Sequence, residues 1–274
     1  MPSVTAWTEH APFAFWLIEQ LRPAQIVELG THGGYSYLAM CQAVQKLDLP
    51  TRCTAVDTWL GDSHAGWYEG KIFDDLDREN TRQYASFSRL LRATFAEARL
   101  QFSPASIDLL HIDGLHTYEA VKNDFENWLP CLSDQGIVLF HDTQERTRDF
   151  GVWQFWQELT ANHPHFEFHH GHGLGVLSVG KVQAPALAAL FSLSAEDGDE
   201  VRTLYARLGK SLLHPPVKEP VRKHAKPVVS KREKQLQNQV KSLDRIVASA
   251  LAWQRRSWWK RAFHRWRPPR TPKF

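Results

Sequence analysis

Cysteine is scarce in the 274 residues: Cys41, Cys53 and Cys131 are scattered and form no CxxC pair. Such an odd, unpaired set supports neither a disulfide framework nor a zinc knuckle, so the expectation is three reduced core fillers in a cytoplasmic protein. No run approaches the roughly eighteen consecutive apolar residues of a membrane-spanning helix. The opening MPSVTAWTEHAPF lacks the charged-then-apolar layout of a secretory signal, which argues against export. Internal repeats are absent, and so is a strong overall charge. The formal net charge is +3, with Lys and Arg crowded into the last quarter. At 43% apolar, the chain can still bury one sizeable core and have a tail left over.

The most informative stretch runs from Ser106 to Thr143. A short apolar run, Ile107 to Ile112, ends on Asp113-Gly114, and a second, Gly136 to Phe140, ends on His141-Asp142. Between them Tyr118, Val121, Phe125, Trp128 and Leu129 recur at spacings of three and four, the period of a helix with one apolar face. A helix between two short buried strands implies a parallel crossover, so Asp113 and Asp142 should emerge side by side at one sheet edge. In open α/β sheets the ligand crevice lies beyond that edge. Two acids and two histidines, His116 and His141, are therefore aimed at a crevice.

Upstream, Phe13, Trp16, Leu17 and Leu21 mark a helix that Pro23 ends. Ile26 to Leu29 reads as a buried strand, followed by glycines at 30, 33 and 34 and a helix from about Ser36. Such a turn lets a ligand approach the backbone and offers it free helix N–H groups. The spacing departs from GxGxxG, and an acid, Glu28, precedes the first glycine. Cys53 to Asp57 reads as the second strand. An acid closing that strand suits ribose hydroxyls, although a helix cap or turn role fits its position too. Leu60 to Asn80 shows no periodicity and is expected to be a long loop over the site. Within 84–102, SFSRLL is a candidate strand and RATFAEARLQF a candidate helix.

Past the central unit, Val152 to Leu159 reads as a helix, and Phe166 to His169 with Gly173 to Val179 as an antiparallel edge hairpin. His111 is expected in the core. Asp108, Asp124 and Glu126 are expected to be solvated or capping acids, and Tyr35 and Tyr37 to pack. The cluster His163, His165, His169, His170 and His172 lacks the i, i+4 spacing of a helical metal site. The expected organisation is a first domain over 1–182, a helical extension over 183–211, a Pro-rich basic linker over 212–230, and a short heptad helix with a basic aromatic tail over 231–274.

VELGTHGGYS, AVDTW, IDLLHIDGLHTYEAVKNDF and GIVLFHDT, in this order, resemble a class I S-adenosylmethionine-dependent methyltransferase over residues 25–180. The similarity is to the bacterial branch holding macrolide-sugar and cephamycin-type O-methyltransferases, whose relatives often accompany polysaccharide biosynthesis. The resemblance implies a Rossmann-like, doubly wound α/β fold whose seven-stranded sheet is parallel but for one strand. It implies S-adenosylmethionine at Glu28, Gly30, Gly34, Ser36 and Asp57, a divalent metal (Mg or Mn) on Asp113 and Asp142, and His116 as general base. At His141 those relatives tend to carry an acid. A histidine there favours a softer ion, a supporting role or no metal, because magnesium prefers oxygen ligands.

The implied activity is O-methylation of a sugar or glycan-precursor hydroxyl, with a small-molecule or glycan partner. The alternative is a non-catalytic module that tethers glycan-assembly partners through its tail. In that tail, Trp258, Trp259, Ala262, Phe263 and Trp266 share one face of a helical projection, while Arg and Lys fill the rest. The pattern fits peripheral inner-membrane contact through 251–274 better than nucleic acid, and the heptad positions fit a homo-oligomer.

Overall fold

The computed structural model describes residues 5–68 and 70–213. Leu212 and Leu213, expected to open the linker, still belong to the last helix, and the rest of the linker, the heptad segment and the basic aromatic tail lie outside the described residues. Among them no helix is long and apolar enough to cross a membrane.

Seven strands form the main sheet: β1 (Gln25–Leu29), β2 (Arg52–Asp57), β5 (Ser88–Arg92), β6 (Ile107–Ile112), β7 (Leu132–His141), β8 (His165–Phe168) and β9 (Leu174–Ser178). A separate hairpin pairs β3 (Gly61–Asp62) with β4 (Gly66–Trp67). The sheet order is β5-β2-β1-β6-β7-β9-β8, with β9 antiparallel to both neighbours and all other pairs parallel. This is the Rossmann-like methyltransferase architecture expected from the sequence, including its single reversed strand.

Both sheet faces are covered, which is why the central strands read as continuous apolar runs. One face packs α1 (Ala11–Leu21), α2 (Tyr35–Lys46), α7 (Pro185–Phe191) and α8 (Ala195–Leu213) in a single apolar cluster. The other packs α4 (Phe95–Arg99), α5 (Tyr118–Trp128) and α6 (Val152–Thr160). The helical extension after residue 183 thus buries Leu187, Leu190, Tyr205 and Leu208 in the same core as Phe13 and Phe168. Its α8 abuts a 3-10 turn at Ala6–His10, where Gly209 lies so close to the Glu9 backbone that a Cβ would overlap it.

Alternation along the strands explains one departure from an apolar core. Ile26 and Glu28 face the α1/α2 side of β1, and Leu109 and His111 face the same side of β6. Glu28 is in register with His111, so two polar residues meet across the strands inside the core.

Three expectations need correction. The 60–80 segment is not an open loop: it holds the β3–β4 hairpin and most of α3 (Lys71–Gln83). The helix was hidden because only Ile72, Phe73 and Leu76 recur among its charges, and Leu76 alone of these is fully buried. The helix expected across 92–102 is the short α4, bounded by a Thr94–Glu97 capping box. Asp108 and Asp124 are buried, not solvated. Asp108 accepts from the Ala24 and Gln25 amides and the Ser133 hydroxyl, tying the start of β1 to β7.

Candidate active site

A cavity of about 450 Å³ opens beyond the carboxyl ends of the parallel strands. Gly30, Gly34, Ser36, Asp57, Asp113, His116, His141 and Asp142 all line it. Glu28, the remaining expected site residue, does not reach the cavity wall. It is fully buried beneath the glycine turn.

The turn after β1 requires its glycines at two points. Gly30 has φ +84° and lies against the Asp113 carbonyl, so a side chain there would push β1 and β6 apart. Gly34, at φ +81°, precedes α2 and meets the Leu76 side chain of α3. Asp57 secures the turn from β2. Its Oδ2 accepts from the Thr31 and His32 amides (both 2.9 Å), and Oδ1 accepts from the Trp59 amide (2.7 Å). A carboxylate offers about four lone-pair sites, so one remains for a ligand hydroxyl. Below the turn, the Trp7 indole donates to His111 Nε2 (3.1 Å), so His111 Nδ1 is the nitrogen that donates to Glu28 Oε2 (2.8 Å). Burial pushes the Glu28 carboxyl above its ordinary range, while the His111 ring and the Ser36 hydroxyl pull it down. Glu28 Oε1 and Thr31 Oγ1 are buried without a protein partner. Thr31 lines the cavity, so its orphaned hydroxyl beside the glycine cradle fits a cofactor carrying polar groups.

On the other side of the cavity the two strand-end acids meet the two histidines. Asp113 follows the Ile112–Phe140 pair in register and so stands beside His141. His141 Nδ1 lies 3.2 Å from both Asp113 Oδ1 and Asp142 Oδ2, while Nε2 lies 3.1 Å from the Gly171 carbonyl. Because a carbonyl only accepts, Nε2 carries a proton and Nδ1 is the ring atom turned to the acids. His116 Nε2 lies 2.9 Å from Asp142 Oδ2 and 3.5 Å from Asp113 Oδ1. Burial disfavours the charged ring, yet the Asp113 and Asp142 carboxylates outweigh it, raising His116 to about 9 and holding His141 well above its ordinary value. Burial likewise opposes ionisation of Asp113 and Asp142, but His141 and His116 hold both below the usual carboxylate range. Asp142 has φ 61°, a left-handed conformation uncommon outside glycine, consistent with strain held at a functional site.

Donor atoms of Asp113, His141 and Asp142 lie within 4.8 Å of one another, a set that could hold a divalent ion. Two carboxylates and an imidazole suit manganese or another first-row ion better than magnesium.

Several cavity residues carry no legible signal in the sequence. Thr5, Trp7, His32, Tyr68 and His172 line the cavity. His10, buried at the start of α1, meets the edge of His141 (centroids 5.6 Å) and also contacts the Gly171 carbonyl (3.1 Å). Burial keeps its pKa well below the ordinary value, so it adds no charge beside His141.

The fold and the cavity define the class I methyltransferase architecture, and the comparisons agree. Residues 27–143, from β1 through Asp142, match the family described as a methyltransferase domain. The chain is 54% identical over 186 residues, 68% of its length, to the uncharacterized protein y4gI of Sinorhizobium fredii, of which it spans 20%. A Staphylococcus aureus protein, provisionally assigned as a caffeoyl-CoA O-methyltransferase, has a similar solved structure: TM-score 0.50, 16% identity, 62% of this chain and 82% of that one. Cofactor-bound Rv0187 from MTB is similar to the same degree, with TM-score 0.50, 13% identity, and coverage of 65% and 81%. At these identities the structural likeness speaks for the fold.

Proposed function

We propose that this protein transfers a methyl group from S-adenosylmethionine to a hydroxyl of a sugar or glycan precursor, with His116 as general base. One observation carries the reading: a single cavity joins the glycine turn and Asp57 to the Asp113–His116–His141–Asp142 cluster. The first half suits the cofactor. Thr31 Oγ1 is an unpartnered buried oxygen at the turn, Tyr35 and Ser36 at the start of α2 line the cavity, and Asp57 keeps one lone pair for a ribose hydroxyl. When bound, the cofactor supplies an electrophilic methyl on a positively charged sulfur.

The second half suits an acceptor hydroxyl, a poor nucleophile until its proton is taken. The neutral form of His116, the minor one at neutral pH for a ring with a pKa of about 9, takes that proton at Nε2, and the acceptor oxygen forms its bond to the methyl carbon as the carbon–sulfur bond breaks toward sulfur. Asp113, Asp142 and His141 Nδ1 would hold a divalent ion, which would lower the hydroxyl pKa and orient it. Asp142 also supports the His116 imidazolium once it carries the proton.

The test uses purified full-length protein, labelled S-adenosylmethionine and a pool of nucleotide sugars and glycan fragments. Label should enter the pool. His116→Ala should abolish transfer, a general base contributing about 10²–10⁴-fold, while cofactor binding by calorimetry persists. Exhaustive chelation should suppress transfer, and manganese should restore it. Transfer that survives His116→Ala would remove the base, and transfer that survives chelation would remove the ion.

A further inference from the structure

The turn that joins β8 to β9 carries a histidine that the reaction above does not use. Gly171, His172 and Gly173 stand one after another in the left-handed region, at φ +56°, +64° and +93°. Glycine enters that region freely, whereas a histidine stays there only where its surroundings hold it. The turn is wedged in place. A Cβ at Gly171 would overlap the Ala6 carbonyl and the His10 ring, and one at Gly173 would overlap the Thr143 hydroxyl and the Gln144 amide. Three hydrogen bonds pin the backbone to the end of β7 and the residues just after it. The Gly171 carbonyl accepts from His141 Nε2 (3.1 Å), the Gly173 carbonyl from the Asp142 amide (3.1 Å), and the His172 carbonyl from the Gln144 amide (2.8 Å). The His172 side chain is thereby delivered to the cavity wall, where 54% of it is still exposed.

The ring is oriented from behind. Glu145 Oε1 accepts from the Arg146 and Thr147 amides (both 2.8 Å), and Oε2 lies 3.0 Å from His172 Nδ1. A carboxylate accepts, so Nδ1 carries a proton. Among the described residues the other ring nitrogen, Nε2, has no hydrogen-bond partner, although the residue lines the cavity. The chemistry around it selects what can meet it. A singly protonated ring presents a lone pair at Nε2 and calls for a donor, and a doubly protonated ring presents an N–H and calls for an acceptor. A hydroxyl satisfies both. A phosphate or carboxylate satisfies only the second, and it would stand in a cavity already walled by Asp113 and Asp142, where like charges repel.

We infer that His172, held by Glu145, is a specificity-determining residue that binds a second hydroxyl of the methyl acceptor through Nε2, while the strand-end cluster takes the hydroxyl to be methylated. The inference rests on the methyl-transfer reading above. It narrows the acceptor to sugars that keep a further free hydroxyl within reach of this turn, and it gives the strained histidine a purpose that a turn residue alone would not need.

The experiment compares full-length wild type with His172→Gly and His172→Gln, using the pool of nucleotide sugars extended by the monodeoxy analogues of each sugar. Glycine is at ease at a left-handed φ, so His172→Gly removes the ring without straining the turn. Glutamine carries an amide toward the place of Nε2. Two readouts are taken: initial rates of transfer from labelled S-adenosylmethionine, and the long-range proton–nitrogen spectrum of the His172 ring with S-adenosylhomocysteine bound. In wild type, one monodeoxy analogue of the sugar that takes label should show KM raised by about 3–10-fold, the loss of one hydrogen bond. His172→Gly should raise KM for the parent sugar by the same factor, with kcat changed by less than about threefold, the pattern of lost binding. On that deoxy analogue His172→Gly should lose nothing more, because two changes that remove one contact do not add. His172→Gln should regain part of the loss, and the pool should move the His172 Nε2 resonance. An unchanged KM in His172→Gly, losses that add in full on every deoxy analogue, or an Nε2 resonance that the pool leaves unmoved would overturn the inference while label still entering the pool leaves methyl transfer intact. Absence of label from every sugar would overturn the methyl-transfer reading and the inference with it.

Discussion

At the scale of single residues, Asp57 illustrates how one side chain serves backbone and ligand together. Its three amide contacts fix the glycine turn, so Asp57→Ala removes a support as well as a ligand partner. Calorimetry with S-adenosylhomocysteine should show a loss of roughly 1–3 kcal/mol, the cost of buried hydrogen-bonding groups left unpaired. Unchanged affinity would remove Asp57 from the site. Asp124 carries a prediction of a different kind. Burial behind the site raises its carboxyl from 3.8 to about 7. Because folding raises this pKa, the protonated acid's contribution to stability is fully present below about pH 4, shrinks as the pH climbs, and is lost above about pH 7. The loss is on the order of 4 kcal/mol. Asp124→Asn should therefore raise the melting temperature more at pH 8 than at pH 5, and an equal change at both would refute a buried neutral acid. Residues such as Asp113 and Asp142 were legible because each ends an apolar run that only a buried strand explains. His10 and Trp7 were not, since they reach the site through tertiary packing from segments whose spacing says nothing about a cavity.

Among the elements, the β6–α5–β7 unit was legible in full because its two periods, apolar runs and a three-four recurrence, are unambiguous. Helix α3 was missed because its apolar residues are few and its role is local: Leu76 closes over Gly34, and Asn80 accepts from the Ser88 hydroxyl (2.5 Å). The glycine turn shows how an element boundary sets the site. Gly30→Ala must place a methyl group into the Asp113 carbonyl at a left-handed φ, displacing the ends of β1 and β6 together. The expected cost is roughly 1–3 kcal/mol of stability, with loss of cofactor binding. Gly33, three positions on, has no atom within 4 Å of where its Cβ would be. Gly33→Ala should change stability by no more than about 0.5 kcal/mol. Denaturant unfolding of the two variants checks the contrast, and similar effects at both positions would mean that the turn does not rest on the Asp113 backbone.

For the whole molecule, the described residues bury their apolar side chains in two clusters against one sheet, whereas the sequence from 251 onward concentrates aromatics and cations that such a core does not need. Trp258, Trp259, Phe263 and Trp266 lie among Arg255, Arg256, Lys260, Arg261, Arg265 and Arg267. Tryptophan favours the headgroup layer of a bilayer, and each cation near an anionic surface contributes about 1 kcal/mol. A single-stranded nucleic acid would satisfy the same composition by stacking bases between cations. The two differ in how the aromatics are arranged. Gathered on one face of a helical projection they suit an interface, and spread along a groove they suit a strand. We therefore expect full-length protein to float with anionic vesicles and not with neutral ones, and a full-length variant with Trp258, Trp259 and Trp266 changed to Ser to stay in the aqueous fraction. High salt should weaken flotation, since the attraction of exposed cations is screened within a Debye length of about 10 Å at 0.1 M. Equal flotation of the two proteins, or displacement from anionic vesicles by single-stranded nucleic acid at physiological salt, would overturn the membrane reading.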